Sequence, residues 1–337
     1  MGFKVGKNEI FWFLKRKIEV VQSYKYLGVL LTSNLSLYRH LESKIAEANI
    51  KIHSLSRILY DENVPIHSKF HLFNAIARSS LTYGAQVWGA SMFNSLEVCQ
   101  RAFLKKTLRL PMSTPDYMLY LECNVFPMFV FALELHLYYK NRCLNMPEVR
   151  YPNFLVKELF KRKVFWYENY KRLADEFQIP IEDFLYGDVG TVIDKVKCCL
   201  RSQYVARVNA SQRHLLYKEI HGISDAYNFV YNSALKTSEI SWALKIRGEL
   251  MYLNKYNFKS DSVCCSLCNL RQEEGVFHFV AVCPILAEWR RLFFRKSRLD
   301  REEFLDIIVK GSQLKALALY CKAAWAYRYD LVLEFNY

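Results

Sequence analysis

The sequence predicts a mostly α-helical protein with a short β-hairpin at its start. Three observations carry that expectation. Apolar residues recur at steps of three and four through most of the 337 residues, β-branched and aromatic residues alternate only over residues 17–32, and the tail is rich in alanine and leucine. In "KIEVVQSYKYLGVLLT", Ile18 and Val20 alternate with Lys17 and Glu19, which predicts two short strands meeting near Gln22 and Ser23. A helix follows, with Leu41, Ile45, Ala48, Ile52, Leu55 and Leu59 on one stripe and Glu42, Lys44, Glu47, Lys51 and Arg57 outside it. A second opens at Pro65 and carries Ile66, Phe70, Phe73, Ala77 and Leu81. After "YGAQVWG" a third runs from about Asn94 to Leu110, carrying Arg101, Lys105, Lys106 and Arg109 as a basic patch. "LPMSTPD" is the sharpest break in the chain. Aromatic-rich helices follow over 117–176, then a boundary at "IPIEDFLYGDVG" and a further helical region holding Cys198 and Cys199. These breaks divide the chain into a hairpin (1–32), a helical domain (33–110), a helical connector (111–235), a cysteine-containing module (236–295) and a closing helical segment (296–337).

The 52% hydrophobic content suffices to bury cores in a chain of this length, which argues against intrinsic disorder. Neither G-x-G-x-x-G nor G-x-x-x-x-G-K-[ST] occurs, which argues against the nucleotide-binding folds built on those loops. The formal charge is +14, with +8 in residues 1–150 and +6 in the rest, a surface suited to a polyanion such as RNA or DNA. No small-molecule substrate is implied. The N-terminus lacks an apolar segment of signal-peptide length, and Gly6 stands where a myristoylation signal needs Ser or Thr. The longest apolar run, "NVFPMFVFALELHLYY", is interrupted by Pro127, Glu134 and His136, so no membrane association is expected. The expected setting is intracellular, nuclear or cytoplasmic, where clustered cysteines are read as metal ligands before disulfides.

The chemistry lies in "CCSLCNLRQEEGVFHFVAVCPILAEWRR". Cys265 and Cys268 form a C-x2-C pair, a spacing that turns two thiolates to one side of a tight turn. His278 and Cys283 would complete a Cys3His shell for one structural Zn2+. On an unbroken helix, residues five apart point about 140° away from each other and cannot reach one ion. The helix must therefore bend or end between them. Pro284 supplies the break, because the residue before a proline is pushed out of the α region. Pro284 can also open a new helix with Cys283 at its N-terminus, where the macrodipole favours a thiolate. Four protein ligands leave no open coordination position, so a structural rather than a catalytic metal is expected. Cys264 reads as a bystander, and Cys99, Cys123, Cys143, Cys198, Cys199 and Cys321 as core residues. His67 and His71 lack the Glu of H-E-x-x-H and read as exposed helix positions.

Taken in order, "SYKYLGVLLT", the helical pair, "LTYGAQVWG", "RAFLKKTLRLPMSTPDYMLYLECNVFP", "ALKIRGELMYLN" and the cysteine cluster resemble the region after the palm of a non-LTR (LINE-type) retrotransposon reverse transcriptase. The resemblance runs, with gaps, from about residue 3 to about residue 295. It implies that Lys25, Tyr26 and Gly28 lie in a strand-turn element beside a primer end, and that residues 33–110 form a thumb along a template-primer duplex. Arg101, Lys105, Lys106 and Arg109 would then contact phosphates, and Cys265, Cys268, His278 and Cys283 would occupy the ligand positions of the family's zinc module. The paired aspartates that nucleotidyl transfer requires are missing, because no Asp-Asp pair occurs in the sequence. The expectation is therefore a non-catalytic nucleic-acid-binding remnant or fragment with a structural zinc site. Two alternatives stay open: the C-terminal part of an RNA-directed DNA polymerase whose palm lies upstream, and a protein-interaction scaffold that binds no nucleic acid.

Overall fold

A computed structural model describes residues 10–222, 229–256, 262–311 and 313–335. The start of the family resemblance, residues 3–9, and residues 257–260 ahead of the cysteine cluster lie outside them. The described chain is mostly helical, with two hairpins at its start, β1 (Phe11–Phe13) with β2 (Arg16–Ile18) and β3 (Ser23–Tyr26) with β4 (Val29–Thr32). The paired strands of the second hairpin meet at Leu27 and Gly28, not near Gln22 and Ser23. Ser23 pairs with Thr32 and is thus part of a strand, whereas Leu27 and Gly28 take the positive φ (45° and 80°) that a tight hairpin turn demands.

The chain folds into two compact units, each assembled from segments distant in sequence. The first comprises residues up to Leu55, Leu72–Gln100 and Pro127–Val196. Its centre is the helix Met128–Leu144. The short helix Ala85–Trp88 ends at Gly89, where a Cβ would stand 2.0 Å from the Ala132 carbonyl oxygen, so only glycine permits this backbone approach. The N-cap of Met128–Leu144 is Pro127, which has no capping side chain, and the Glu97 carboxylate takes over that role. It accepts the Met128 and Phe129 N–H groups at 2.9 and 2.8 Å. At the other end, buried Lys140 donates to the Phe184 and Leu185 carbonyls at 3.0 and 2.9 Å, closing the last turn of Ile181–Tyr186. The second hairpin is held by Tyr83, whose hydroxyl donates to the Leu27 carbonyl at 2.7 Å. Buried His40 accepts the Leu30 N–H at Nδ1 and donates from Nε2 to the Tyr83 carbonyl.

His136 lies wholly inside this unit between the Gln86 carbonyl at 2.9 Å from Nδ1 and the Tyr170 hydroxyl at 2.7 Å from Nε2. A carbonyl needs a donor, so Nδ1 carries the proton and Nε2 accepts from Tyr170. That pattern satisfies the neutral ring, and burial pushes its pKa down to about 4. Between that value and the ordinary 6.5 the unfolded chain binds the extra proton, so stability rises with pH across the window. Lowering the pH from 6.5 to 4 is expected to remove up to about 3 kcal/mol from the unit. Melting temperatures recorded over that range check this, and His136→Gln, which does not titrate, is expected to flatten the slope.

The second unit comprises Ser56–His71, Arg101–Phe126 and residues from Lys197 onward. Fully buried Lys69 donates to the Asp61 carbonyl at 2.6 Å and the Thr237 hydroxyl at 2.8 Å. Arg247 pairs with Glu122 at 3.0 Å and donates to the Ile308 carbonyl at 2.9 Å. The closing helix Leu314–Phe335 packs against Thr237–Arg247 and Ala287–Phe294. Arg301–Lys310 begins with a reciprocal cap, Asp300 accepting the Glu303 N–H and Glu303 accepting the Asp300 N–H.

Cys99, Cys123, Cys143 and Cys321 are buried, as core cysteines should be. Cys198 is not: it is exposed and Cys199 is half-buried. They occupy successive positions of the helix Val189–Ala210, whose buried stripe runs through Val196, Leu200 and Tyr204, leaving position 198 facing out. His67 and His71 are exposed as expected, whereas His40 and His136 are buried polar anchors. Among the described residues no helix is long and apolar enough to cross a membrane.

Candidate metal centre

Residues 263–274 fold back on themselves, with Cys265 N–H donating to the Gln272 carbonyl at 2.9 Å and Glu274 N–H to the Val263 carbonyl at 2.8 Å. Cys264 lies on this ladder opposite Glu273, half-buried and outside the cluster, consistent with a bystander. The ladder fixes the C-x2-C turn, so that Cys265 and Cys268 face the same side as His278 and Cys283. One ligand atom from each of the four lies within 4.8 Å of every other, and all four residues are buried. Cys265 Sγ is 4.0 Å from Cys283 Sγ, and Cys268 Sγ is 3.4 Å from His278 Nε2. Sulfurs about 2.3 Å from one tetrahedral ion would stand about 3.8 Å apart, so the donor set fits a metal ion.

The angular problem posed by the five-residue step is solved twice over. His278–Val282 is wound as a π-turn, and Cys283 N–H closes it on the His278 carbonyl at 2.8 Å, an i→i+5 bond wider than the α pitch. Cys283 itself leaves the helical region with ψ 119°, as the following Pro284 requires, and Pro284 opens the turn leading into Ala287–Phe294.

Supporting contacts surround the four ligands. Gln272 Oε1 lies 3.2 Å from His278 Nδ1, which donates to it and leaves Nε2 as the ligand atom. Glu274, 1% exposed, lies 3.8 Å from Cys265 Sγ and accepts the Asn254 N–H at 3.0 Å. Its charge is balanced from the closing helix by Arg328, with Nε and Nη2 at 2.7 and 2.6 Å. Buried Arg290 donates to the Cys283 carbonyl and, at 2.7 Å, to that of Ser297. The hydrogen bond between the two thiols raises the pKa of Cys265 to about 12, burial adding to it, and lowers that of Cys283. A divalent cation would displace the protons of such thiols on binding. None of these supporting residues was singled out from the sequence. Gln272 and Glu274 carry a faint signal, being polar residues between two ligand pairs, but Arg328 lies 54 residues from its partner and leaves none.

The expected nucleic-acid residues fall in different units. Lys25, Tyr26 and Gly28 belong to the first, with Lys25 and Tyr26 exposed on β3 opposite Leu30 and Val29. Arg101, Lys105, Lys106 and Arg109 belong to the second. There the helix Asn94–Thr107 stops short of Leu110, because Arg109 adopts φ 53° and Leu110 N–H returns to the Lys105 carbonyl at 2.8 Å. Arg109 therefore points away from the helix, paired with Glu62 and donating to the Tyr60 carbonyl at 3.3 Å. Lys105 donates to the Met112 carbonyl at 2.6 Å, Arg101 is half-buried, and Lys106 is exposed. Against known proteins, the chain matches no family model, no curated protein and no solved structure.

Proposed function

We propose that Cys265, Cys268, His278 and Cys283 hold one Zn2+ in a closed structural site, and that the chain binds RNA or DNA without catalysis, as a relative of the post-palm region of a non-LTR retrotransposon reverse transcriptase. Three thiolates and one imidazole favour zinc over the hard cations that take oxygen ligands. The observation that carries the metal reading is the convergence of four buried ligand atoms within 4.8 Å of one another. With every tetrahedral position taken by protein, no site remains for a reactive water, in keeping with a sequence that lacks paired catalytic aspartates. The nucleic-acid reading rests on the net charge of +14 and on the ordered segments of the sequence resemblance. The proposed setting is intracellular, nuclear or cytoplasmic, where thiols stay reduced and such polyanions are found.

Fluorescence-anisotropy titrations with single strands, duplex DNA and an RNA–DNA hybrid at several salt concentrations test this function. Affinity is expected to fall steeply with salt, and Lys106→Ala to flatten the duplex slope by about 0.9 for one lost phosphate contact. Absent binding at low salt would sink the reading. A scaffold role is then favoured by a separate observation: Phe11, Trp12 and Phe13 on β1 are 44, 65 and 67% exposed, an apolar edge strand of the kind that pairs with another protein.

A further inference from the structure

The second unit contains a cavity of about 280 Å³ that no part of the metal centre uses. It lies near the lower end of the volume range of ligand pockets, about 300 Å³. Its walls come from three places: Arg109 with the two residues after it, the helix Thr237–Arg247 with the loop that follows, and Trp325 of the closing helix. Two indoles line it, Trp242 and Trp325, with ring centres 6.5 Å apart and planes inclined at 57°. Tyr252 adds a third ring and is 67% exposed, an amphipathic side chain left in water at the pocket mouth.

The polar lining is cationic. Lys245 holds its ammonium 5.0 Å from the centre of the Trp242 ring, and Arg109 lines the same space. Among the described residues no carboxylate lines the cavity. Burial, and then the Arg109 charge, push the Lys245 pKa below its ordinary value, as expected of a cation held beside another cation. Arg109 already has Glu62 as its anion, whereas Lys245 has no carboxylate partner among the described residues and would gain from one. Aromatic walls beside a lysine that has no carboxylate partner suit a ligand that joins a planar ring to a negative group. They do not suit a quaternary ammonium, which the two charges would repel.

We propose that this pocket captures one unstacked nucleotide of a single strand, the base against the aromatic walls and its phosphate beside Lys245 and Arg109. The proposal rests on the nucleic-acid reading above and specifies it: single-stranded ends or gaps should bind better than uninterrupted duplex, and by stacking rather than by base identity.

The test compares two labelled probes on the full chain, a short single-stranded oligothymidylate and an abasic oligonucleotide of equal length and charge. The wild-type protein is expected to bind the base-bearing strand about ten-fold more tightly, the size of one stacking contact. Tyr252→Ala, at an exposed position, and Trp242→Leu should bring that ratio towards one, the loss falling mainly on the base-bearing strand. Lys245→Gln should weaken both strands. Equal wild-type affinity for the two probes would overturn the pocket while leaving nucleic-acid binding intact, and so would an unchanged ratio in Tyr252→Ala. Binding of neither probe would instead overturn the nucleic-acid reading itself. Displacement of the oligothymidylate by a glutamate–tyrosine copolymer at equal charge concentration would overturn the nucleotide in favour of an acidic peptide.

Discussion

Cys283→Ser is expected to abolish stoichiometric metal binding and to melt the module that runs from Val263 to Phe294. Apparent metal-binding free energies of structural zinc sites are on the order of 10 kcal/mol, and in a site that folds around its ion this is folding free energy. Apart from the four clustered side chains, residues 263–274 are held by a short ladder, by Asn254 on Cys264, Ser266 and Glu274, and by the Glu274–Arg328 pair at their end. Cys283 also terminates the π-turn, and its carbonyl accepts from buried Arg290, so releasing it frees the start of the helix Ala287–Phe294. Metal analysis of reduced protein, with circular dichroism melts before and after chelation, measures the effect. Wild-type protein treated with a strong chelator should reproduce the variant. Retained stability in either case would remove the metal from the folding account.

The second large effect is expected at Arg328. Arg328→Met leaves Glu274 in a place where only 1% of it reaches solvent, with the Asn254 N–H and the Cys265 sulfur as its remaining side-chain contacts. Breaking a buried pair from one side costs about 3–5 kcal/mol, because the remaining charge has lost its compensation. Replacing both partners, Glu274→Gln with Arg328→Met, should recover much of that loss, since two neutral side chains need no such compensation. Urea unfolding midpoints of the wild-type protein, both single variants and the double variant measure the coupling. Additive effects would mean that the pair contributes nothing as a pair.

Much of this architecture is legible in the sequence. Of the two stripes predicted from apolar spacing, the second is buried at Ile66, Phe70, Phe73, Ala77 and Leu81, whereas the first is buried at Leu41, Ala48 and Leu59 but only half-buried at Ile45, Ile52 and Leu55, its helix ending at Ser54. The four clustered cysteine and histidine residues are legible because their chemistry is local, set by residue type and two short spacings. The need for a break before Pro284 followed from helix geometry alone, and Cys283 takes that conformation. The π-winding of His278–Val282 was not legible, because nothing in "HFVAV" distinguishes an i→i+5 turn from an α-turn.

Other features escaped for a different reason, that the deciding partner lies far along the chain. Arg109 reads as a helical cation until Glu62 and the Tyr60 carbonyl claim it. Lys69 and Lys140 carry no signal of burial in the sequence, yet both end inside the fold on backbone carbonyls. Cys198 erred in the opposite direction, since cysteine's general preference for burial says nothing about which face of Val189–Ala210 it occupies.

The central claim, a closed Cys3His zinc site that organises rather than reacts, is tested most directly by X-ray absorption at the zinc edge of purified, reduced protein. The account predicts one zinc per chain with three sulfur neighbours at about 2.3 Å, one nitrogen at about 2.0 Å and no oxygen. Protein that carries no metal, or zinc with an oxygen neighbour in place of one of these four ligands, would contradict it.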